Sequence, residues 1–140
     1  MYLHRELETM SREELGKLQL ERLQKTVRHC MNSPFYKRRF EECNLTPDDI
    51  KSLDDLKKLP FVTKQDMRDN YPYGLFAVPM TDIRRVHASS GTTGKQIVVG
   101  YTDNDLEMWA DCFARMLTAI GADANSIVQD AYGLGLFTGG

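Results

Sequence analysis

The stretch RRVHASSGTTGKQIVVGYT (residues 84–102) sets two short apolar runs on either side of a loop rich in glycine and hydroxyl groups. Residues 84–88 and 96–101 carry side chains that strands favour, so they predict two strands. Between them, glycines let a ligand approach the backbone, consecutive N–H groups can hold an anion, and a lysine adds a mobile positive charge. The segment therefore predicts a candidate phosphate-binding loop made of Ser89, Ser90, Gly91, Thr92, Thr93, Gly94 and Lys95.

This loop differs from the P-loop of kinases and GTPases. That motif needs a glycine, four residues, and then Gly-Lys followed by serine or threonine. Here Gln96 follows Lys95, and Ser89 stands five positions before Gly94. A kinase or GTPase is therefore a poor fit, and composition alone leaves a second interpretation of the loop open. Turns also favour serine, threonine and glycine, so the same residues are typical of a solvated hairpin loop.

Downstream of the loop, the sequence predicts one long helix. Residues 102–105 (Thr-Asp-Asn-Asp) form a helix start, and Gly121 is typical of a helix end. A further strand is predicted through Ile127 and Val128 towards Tyr132. The helix carries apolar side chains at helical spacing, which predicts one stripe packed in the core; its members are Leu106, Trp109, Ala110, Phe113, Met116, Leu117 and Ile120.

Upstream of the loop, the first 70 residues contain repeated helix-start signals. Ser11 and Glu14 predict a capping box, and the apolar residues behind it predict a helix over about residues 11–31. Proline at a first helical position predicts another start at residues 33–34. Clusters led by serine or threonine predict further caps at residues 46–49, 52–55 and 63–66.

Composition limits the classes of protein. The net charge of −2 in 140 residues lacks the basic excess of a dedicated nucleic-acid-binding protein. No apolar run approaches the ~20 residues that cross a bilayer, so neither a nucleic-acid nor a membrane partner is expected. The three cysteines, Cys30, Cys43 and Cys112, are odd in number and lack CxxC spacing. Free thiols in a reducing compartment, by default the cytoplasm, are therefore expected.

The order of residues adds a family resemblance. Residues 87–102 resemble the phosphate-binding motif of the adenylate-forming enzymes, and look most like that of the phenylacetate–coenzyme A ligases. Residues 131–133 (Ala-Tyr-Gly) and 135–140 (Gly-Leu-Phe-Thr-Gly-Gly) match a second segment of that family. The likeness covers most of residues 34–140. Upstream of the loop, the residues that match the family are Pro60, Phe61, Thr63, Lys64, Tyr71, Pro72 and residues 74–77.

The resemblance implies an α/β fold of two parts. Residues 1–74 would form a helical N-terminal region, and residues 75–140 would form the opening strands and helix of the large ATP- and acid-binding domain. The chain would stop inside that domain, because it ends on an apolar, glycine-rich segment. The family's adenine, ribose and metal contacts and its mobile C-terminal domain have no counterpart here. The resemblance thus implies an N-terminal portion that is inactive alone, and whose exposed face would favour a homodimer.

The resemblance also implies a reaction. ATP and an aryl acid such as phenylacetate would give an acyl-adenylate and pyrophosphate in the presence of Mg²⁺, and coenzyme A would then give a thioester and AMP. Residues 89–95 carry over as the phosphate loop. Tyr132, Phe137 and Gly139 carry over as part of the acid pocket, where the two aromatic side chains would flank an aryl ring. Ordinary core packing is the alternative for both. Gln96 departs from the family's usual proline, which should alter loop stiffness more than chemistry.

Two other functions remain open from the sequence. One is a nucleotide- or phosphate-binding module without ligase chemistry, and the other is a helical interaction module built on residues 1–70. His87 precedes the loop, but a lone histidine beside a strand is more often structural. The basic pairs 84–85 and 57–58 are interpreted as a solvated strand end and a helix surface.

Overall fold

A computed structural model describes residues 1–89, 95–131, 133 and 135. Within them, helices precede a two-stranded sheet, so the predicted class of a helical region ahead of α/β elements is confirmed. The α-helices are α1 (Arg5–Glu8), α2 (Arg12–Cys30), α3 (Pro34–Glu42), α4 (Lys64–Asp69) and α5 (Asp103–Ala119). Short 3₁₀ helices span Pro47–Asp49, Leu53–Lys58 and Met80–Asp82, and the strands are β1 (Arg85–Ala88) and β2 (Val98–Tyr101).

Helix α2 anchors the helical region. It begins at the predicted capping box, in which the Glu14 N–H donates to Ser11 Oγ (3.2 Å) and the Ser11 N–H donates to Glu14 Oε2 (3.0 Å). Near its end, the buried Val27 packs with Phe40 of α3 and with Ile50. Burying side chains of this size contributes about 1.5–3 kcal/mol each. The helical region is therefore held by a small core of its own.

The three predicted caps at residues 46–49, 52–55 and 63–66 are confirmed. In each, an aspartate closes a capping box with the serine or threonine three residues before it. Only the third cap leads into an α-helix, which is α4. The first two lead into 3₁₀ helices, whose i→i+3 hydrogen bonds suit pieces of only a turn or two. Local hydrogen bonding therefore fixes where these helices start, and not how far they run.

The two predicted strands are confirmed as an antiparallel pair. Strand β1 begins one residue after the predicted start, and β2 begins two residues after it. Directly opposed residues of an antiparallel pair share a face, so the register decides which side chains meet. It places Arg85 opposite Tyr101, Val86 opposite Gly100, His87 opposite Val99 and Ala88 opposite Val98.

Helix α5 is also confirmed, with both of its predicted ends. Thr102 caps the first turn, and its Oγ1 accepts from the Asp105 N–H (3.3 Å). At the other end, Gly121 adopts φ +98°. The Gly121 N–H bonds to Thr118 O and the Ala122 N–H bonds to Leu117 O, both at 3.0 Å. This pair of bonds is a Schellman motif, which glycine permits because it adopts positive φ without strain.

The prediction that the α5 stripe lies in the core is wrong for the described structure, because no residue of this helix is buried. The exposed fraction is 54% for Phe113, 47% for Met116 and 75% for Ile120. An apolar helix face becomes core only where another surface covers it. Among the described residues, β2 packs against this helix. Leu106 and Leu117 are partly buried, and the other members of the stripe are exposed.

The prediction of a strand through Ile127 and Val128 is also wrong, since residues 127–131 adopt no regular structure. The Ile127 side chain is 99% exposed. A strand needs a neighbour to accept its backbone hydrogen bonds, and no described residue supplies one here. Among the described residues, no helix combines the length and apolar character needed to cross a bilayer.

Candidate functional site

The hairpin places the two ends of the candidate loop side by side. The Ser89 N–H donates to Ile97 O (2.9 Å), and Ser89 Oγ accepts from the Ile97 N–H (2.9 Å). A hydroxyl is both donor and acceptor, so Ser89 can still donate to an anion while it holds Ile97. Of the predicted loop, Ser89 and Lys95 lie within the described residues. The other five predicted members, Ser90, Gly91, Thr92, Thr93 and Gly94, lie outside them.

Lys95 is the charged residue of the candidate loop. Its side chain is exposed, and its Nζ lies 5.9 Å from the centre of the Tyr71 ring. This contact joins the loop to the chain segment that follows α4. An ammonium over an aromatic face is attracted by the ring's negative surface, and weakly so at an exposed site. The positive charge is therefore held near the loop without being neutralised.

His87 lies on β1, on the same face as Ser89 two residues later. It is 4% exposed, and its ring meets Tyr101 edge-on at 5.2 Å and Trp109 at 5.7 Å. Within the described structure, His87 Nδ1 is buried without a hydrogen-bond partner. This packing favours a structural role for His87, in which the imidazole packs β1 against β2 and α5. The Trp109 ring covers this junction although it remains 41% exposed.

The opposite face of the hairpin rests on the segment that leads into it. A Cβ added at Gly100 would lie 2.7 Å from the Phe76 ring and 3.0 Å from Ile83 Cδ1. Sequence reasoning did not single out Gly100, although a glycine inside a strand is typical of a close approach by another group. It named Tyr71 only as part of the family resemblance and did not predict its contact with Lys95, a residue 24 positions away. The two strands that flank the loop are thus packed on both faces.

The basic pair at residues 84–85 lies at the start of β1 and is exposed, as the prediction of a solvated strand end requires. Arg84 Nε donates to Asp103 Oδ2 (2.9 Å), and both side chains are more than half exposed. This carboxylate raises the pKa of Arg84 above its ordinary value. Solvent screens exposed ion pairs, so the pair joins β1 to α5 only weakly. Lys58 similarly pairs with Asp55 (2.7 Å) on a surface.

The predicted acid-pocket residues Tyr132, Phe137 and Gly139 lie outside the described residues. In the part that the structure describes, no three His, Cys, Asp or Glu side chains are grouped as a metal site would require. A shallow depression of about 410 Å³ lies between α2 and residues 51–54, away from the hairpin. The described chemistry of the site therefore comes from Ser89, Lys95 and the aromatic groups around them.

Curated proteins resemble this chain over nearly its whole length. It is 53% identical to the phenylacetate-coenzyme A ligase of Escherichia coli (strain K12) over 135 residues, 55% identical to that of Aromatoleum evansii, and 52% identical to that of Thermus thermophilus. Each match covers 96% of this chain and 31% of the relative. The chain thus spans about a third of the length of these relatives. No protein-family model matches it.

Solved structures agree with the sequence matches. A 2-hydroxyisobutyryl-CoA ligase in complex with 2-HIB-AMP and CoA superposes with a TM-score of 0.76 and 35% identity, over 83% of this chain and 26% of that one. The same ligase in the postadenylation state gives a TM-score of 0.78 and 31% identity, over 86% and 26%. The described fold matches the N-terminal part of an adenylate-forming ligase. The chain is therefore similar to the phenylacetate–coenzyme A ligases along about a third of their length.

Proposed function

We propose that this chain is the N-terminal portion of an enzyme that ligates an aryl acid, phenylacetate, to coenzyme A in an ATP-dependent, AMP-forming reaction. The observation that carries the proposal is the identity of 52–55% to phenylacetate-coenzyme A ligases along 96% of the chain. The solved ligase that the chain resembles was captured with an acyl-AMP and CoA, which supports chemistry through an adenylate.

The proposed reaction has two substitutions. In the first, a carboxylate oxygen of the acid attacks the α-phosphorus of ATP, and the bond to the β-phosphate oxygen breaks to release pyrophosphate. In the second, the sulfur of coenzyme A attacks the acyl carbon, its proton passes to solvent, and the carbon–oxygen bond to AMP breaks. The first step converts a poor leaving group into AMP, a good one. The two steps together consume ATP and yield a thioester, AMP and pyrophosphate.

Within this reaction, residues 89–95 would hold the phosphates. Ser89 keeps a hydroxyl proton to donate while its oxygen closes the hairpin through Ile97. Lys95 offers an ammonium that no described carboxylate neutralises. Donors and charges fixed in place stabilise the negative charge that develops on pyrophosphate as it leaves. The hairpin therefore supports catalysis by bringing the two ends of the loop together through Ser89 and Ile97.

The acid pocket is proposed to include Tyr132, Phe137 and Gly139. Two aromatic side chains favour an aryl ring through offset or edge-on contacts, and a glycine leaves room beside it. The resemblance also implies Mg²⁺ with the ATP. The described residues form no group of metal ligands, so they do not themselves fit such an ion, and the role proposed for the loop does not depend on it.

The organisation of the whole protein is part of the proposal. Residues 75–140 would open the ATP- and acid-binding domain, and residues 1–74 would form the helical region before it. A cytoplasmic location is favoured by three free cysteines. For the 140-residue chain by itself, a homodimer is favoured by the apolar face that α5 exposes.

Product analysis of the full-length protein tests the function. Incubated with ATP, magnesium, phenylacetate and coenzyme A, it should release AMP in step with phenylacetyl-thioester, and omission of phenylacetate should abolish AMP release. The 140-residue chain alone should give neither product. Formation of ADP, or nucleotide binding without any thioester from any aryl acid, would refute the ligase and leave a nucleotide-binding module.

A further inference from the structure

A rigid turn after α4 fixes the position of Tyr71. The Tyr71 N–H donates to Arg68 O (3.2 Å), and the Gly74 N–H donates to Asn70 O (2.8 Å). A Cβ at Gly74 would lie 2.8 Å from that same Asn70 oxygen, so the turn is closed tightly enough to require glycine. The backbone under Tyr71 is therefore set by hydrogen bonds and packing, while its ring remains 45% exposed.

Lys95 rests on this ring instead of on a carboxylate. Ion pairs join other basic side chains to acidic ones among the described residues, and Lys95 belongs to none of these pairs. Its described contact is the Tyr71 ring, 5.9 Å from Nζ to the ring centre. A carboxylate partner would compete directly with phosphate for the ammonium, because both are anions. A neutral ring competes only weakly.

We propose that Tyr71 is a positioning residue that gives the Lys95 ammonium a resting place close to the loop until a phosphate group draws it away. The inference rests on the proposed function, since it takes the loop to bind the polyphosphate of ATP. The ammonium leaves the ring when it binds phosphate, so the resting contact lowers the affinity for nucleotide. Exposed contacts of this kind correspond to a change of about two- to five-fold in affinity.

Three substitutions separate this role from simple packing. Tyr71→Leu removes the ring, whereas Tyr71→Phe keeps it and should bind ATP as the unsubstituted protein does. Tyr73→Leu is the matched control: Tyr73 is also 45% exposed and lies in the same turn, but its ring contacts Phe76 at 5.3 Å and not the lysine. If Tyr71→Leu does not fold, Tyr71→Gln removes the ring in its place.

The test is calorimetric titration of the full-length variants with ATP, and with inorganic pyrophosphate to probe the phosphate contacts alone. We expect Tyr71→Leu to bind both ligands about two to five times more tightly, Tyr73→Leu to be unchanged, and the gain to vanish in a Lys95→Gln background. Unchanged or weaker binding by Tyr71→Leu, or an equal gain with Lys95→Gln, would overturn this inference alone. Failure of the unsubstituted protein to bind ATP would refute the proposed function and this inference with it.

Discussion

At the scale of the residue, Gly100 lets the Phe76 ring rest directly on the backbone of β2. An added methyl group would lie 2.7 Å from two ring atoms, a distance that forces the ring or the strand to move. We expect Gly100→Ala to lower the free energy of unfolding by about 1–3 kcal/mol, the usual cost of overpacking. Urea denaturation followed by circular dichroism measures the change.

Gly16 gives the matched control for this substitution. It lies within α2, and a Cβ at that position meets nothing within 4 Å. Alanine there should leave stability unchanged or raise it by up to about 1 kcal/mol, because alanine favours a helix over glycine. Equal effects of the two substitutions would contradict the packing described for Phe76.

Two serines before helices make a second prediction at this scale. Ser11 Oγ accepts from the Glu14 N–H, whereas Ser33 is 0% exposed and its Oγ has no partner in the described structure. Ser11→Ala should therefore cost about 1 kcal/mol of stability. Ser33→Ala should cost nothing or stabilise by up to about 1 kcal/mol, because it removes a buried hydroxyl without a bond. Thermal unfolding of both variants checks the pair, and a larger loss from Ser33→Ala would show that its hydroxyl is bonded.

At the scale of the element, four capping carboxylates make stability depend on pH. Hydrogen bonds hold the pKa of each carboxyl group below its ordinary value. The largest cause is a bond with the Ser11 side chain for Glu14 and with the Thr46 side chain for Asp49. It is a bond with the Lys58 side chain for Asp55 and with the Thr63 side chain for Asp66. A lowered pKa means that the folded state favours the charged form. These caps therefore stabilise the fold above the ordinary values of 3.8 and 4.5, and the effect is lost as the pH falls below them.

We accordingly expect the midpoint of thermal unfolding to fall as the pH is lowered from about 5 to about 3. Asp66→Asn should show a smaller fall, because one of the four titrating caps is gone. Scanning calorimetry across this range measures both proteins. A midpoint that stays constant or rises on acidification would show that the capping bonds do not contribute.

The same caps explain which elements could be predicted from the sequence. Helix starts at Ser11, Thr63 and Thr102, and the end of α5 at Gly121, depend on hydrogen bonds within a few residues, and all were predicted. The strand through Ile127 and the packing of the α5 stripe depend on a distant partner, and both predictions failed. The number of turns in each short helix also depends on what covers it.

The candidate site, too, was predictable only where it depends on residues close together in the sequence. The composition and order of residues 89–95 predicted a loop between two strands, and the structure supplies the hairpin that closes at Ser89 and Ile97. The contact of Lys95 with Tyr71 was not predicted, because it joins segments far apart in the sequence. The roles of Tyr132, Phe137 and Gly139 stay predictions, since these residues lie outside the described ones.

At the scale of the whole molecule, the exposed face of α5 determines how the 140-residue chain should behave by itself. Its apolar side chains include Phe113, which is 54% exposed. Faces of this kind mark surfaces that another surface covers. We expect the isolated chain to self-associate, and Phe113→Glu to shift it towards monomer. Cys112→Glu is the control, because it adds the same charge at the neighbouring exposed position outside the stripe. Sedimentation velocity over a concentration series distinguishes them, and a monomer at every concentration would contradict the expectation.

The most direct test of the central claim follows the oxygen atoms of the acid. In an adenylate mechanism, a carboxylate oxygen becomes bonded to the α-phosphorus of ATP and remains with AMP when the sulfur of coenzyme A displaces it. The full-length protein, supplied with phenylacetate labelled with ¹⁸O in its carboxylate, should therefore release AMP that carries a labelled oxygen, as read by mass spectrometry. Thioester formation accompanied by unlabelled AMP, or by label in inorganic phosphate, would contradict the assignment.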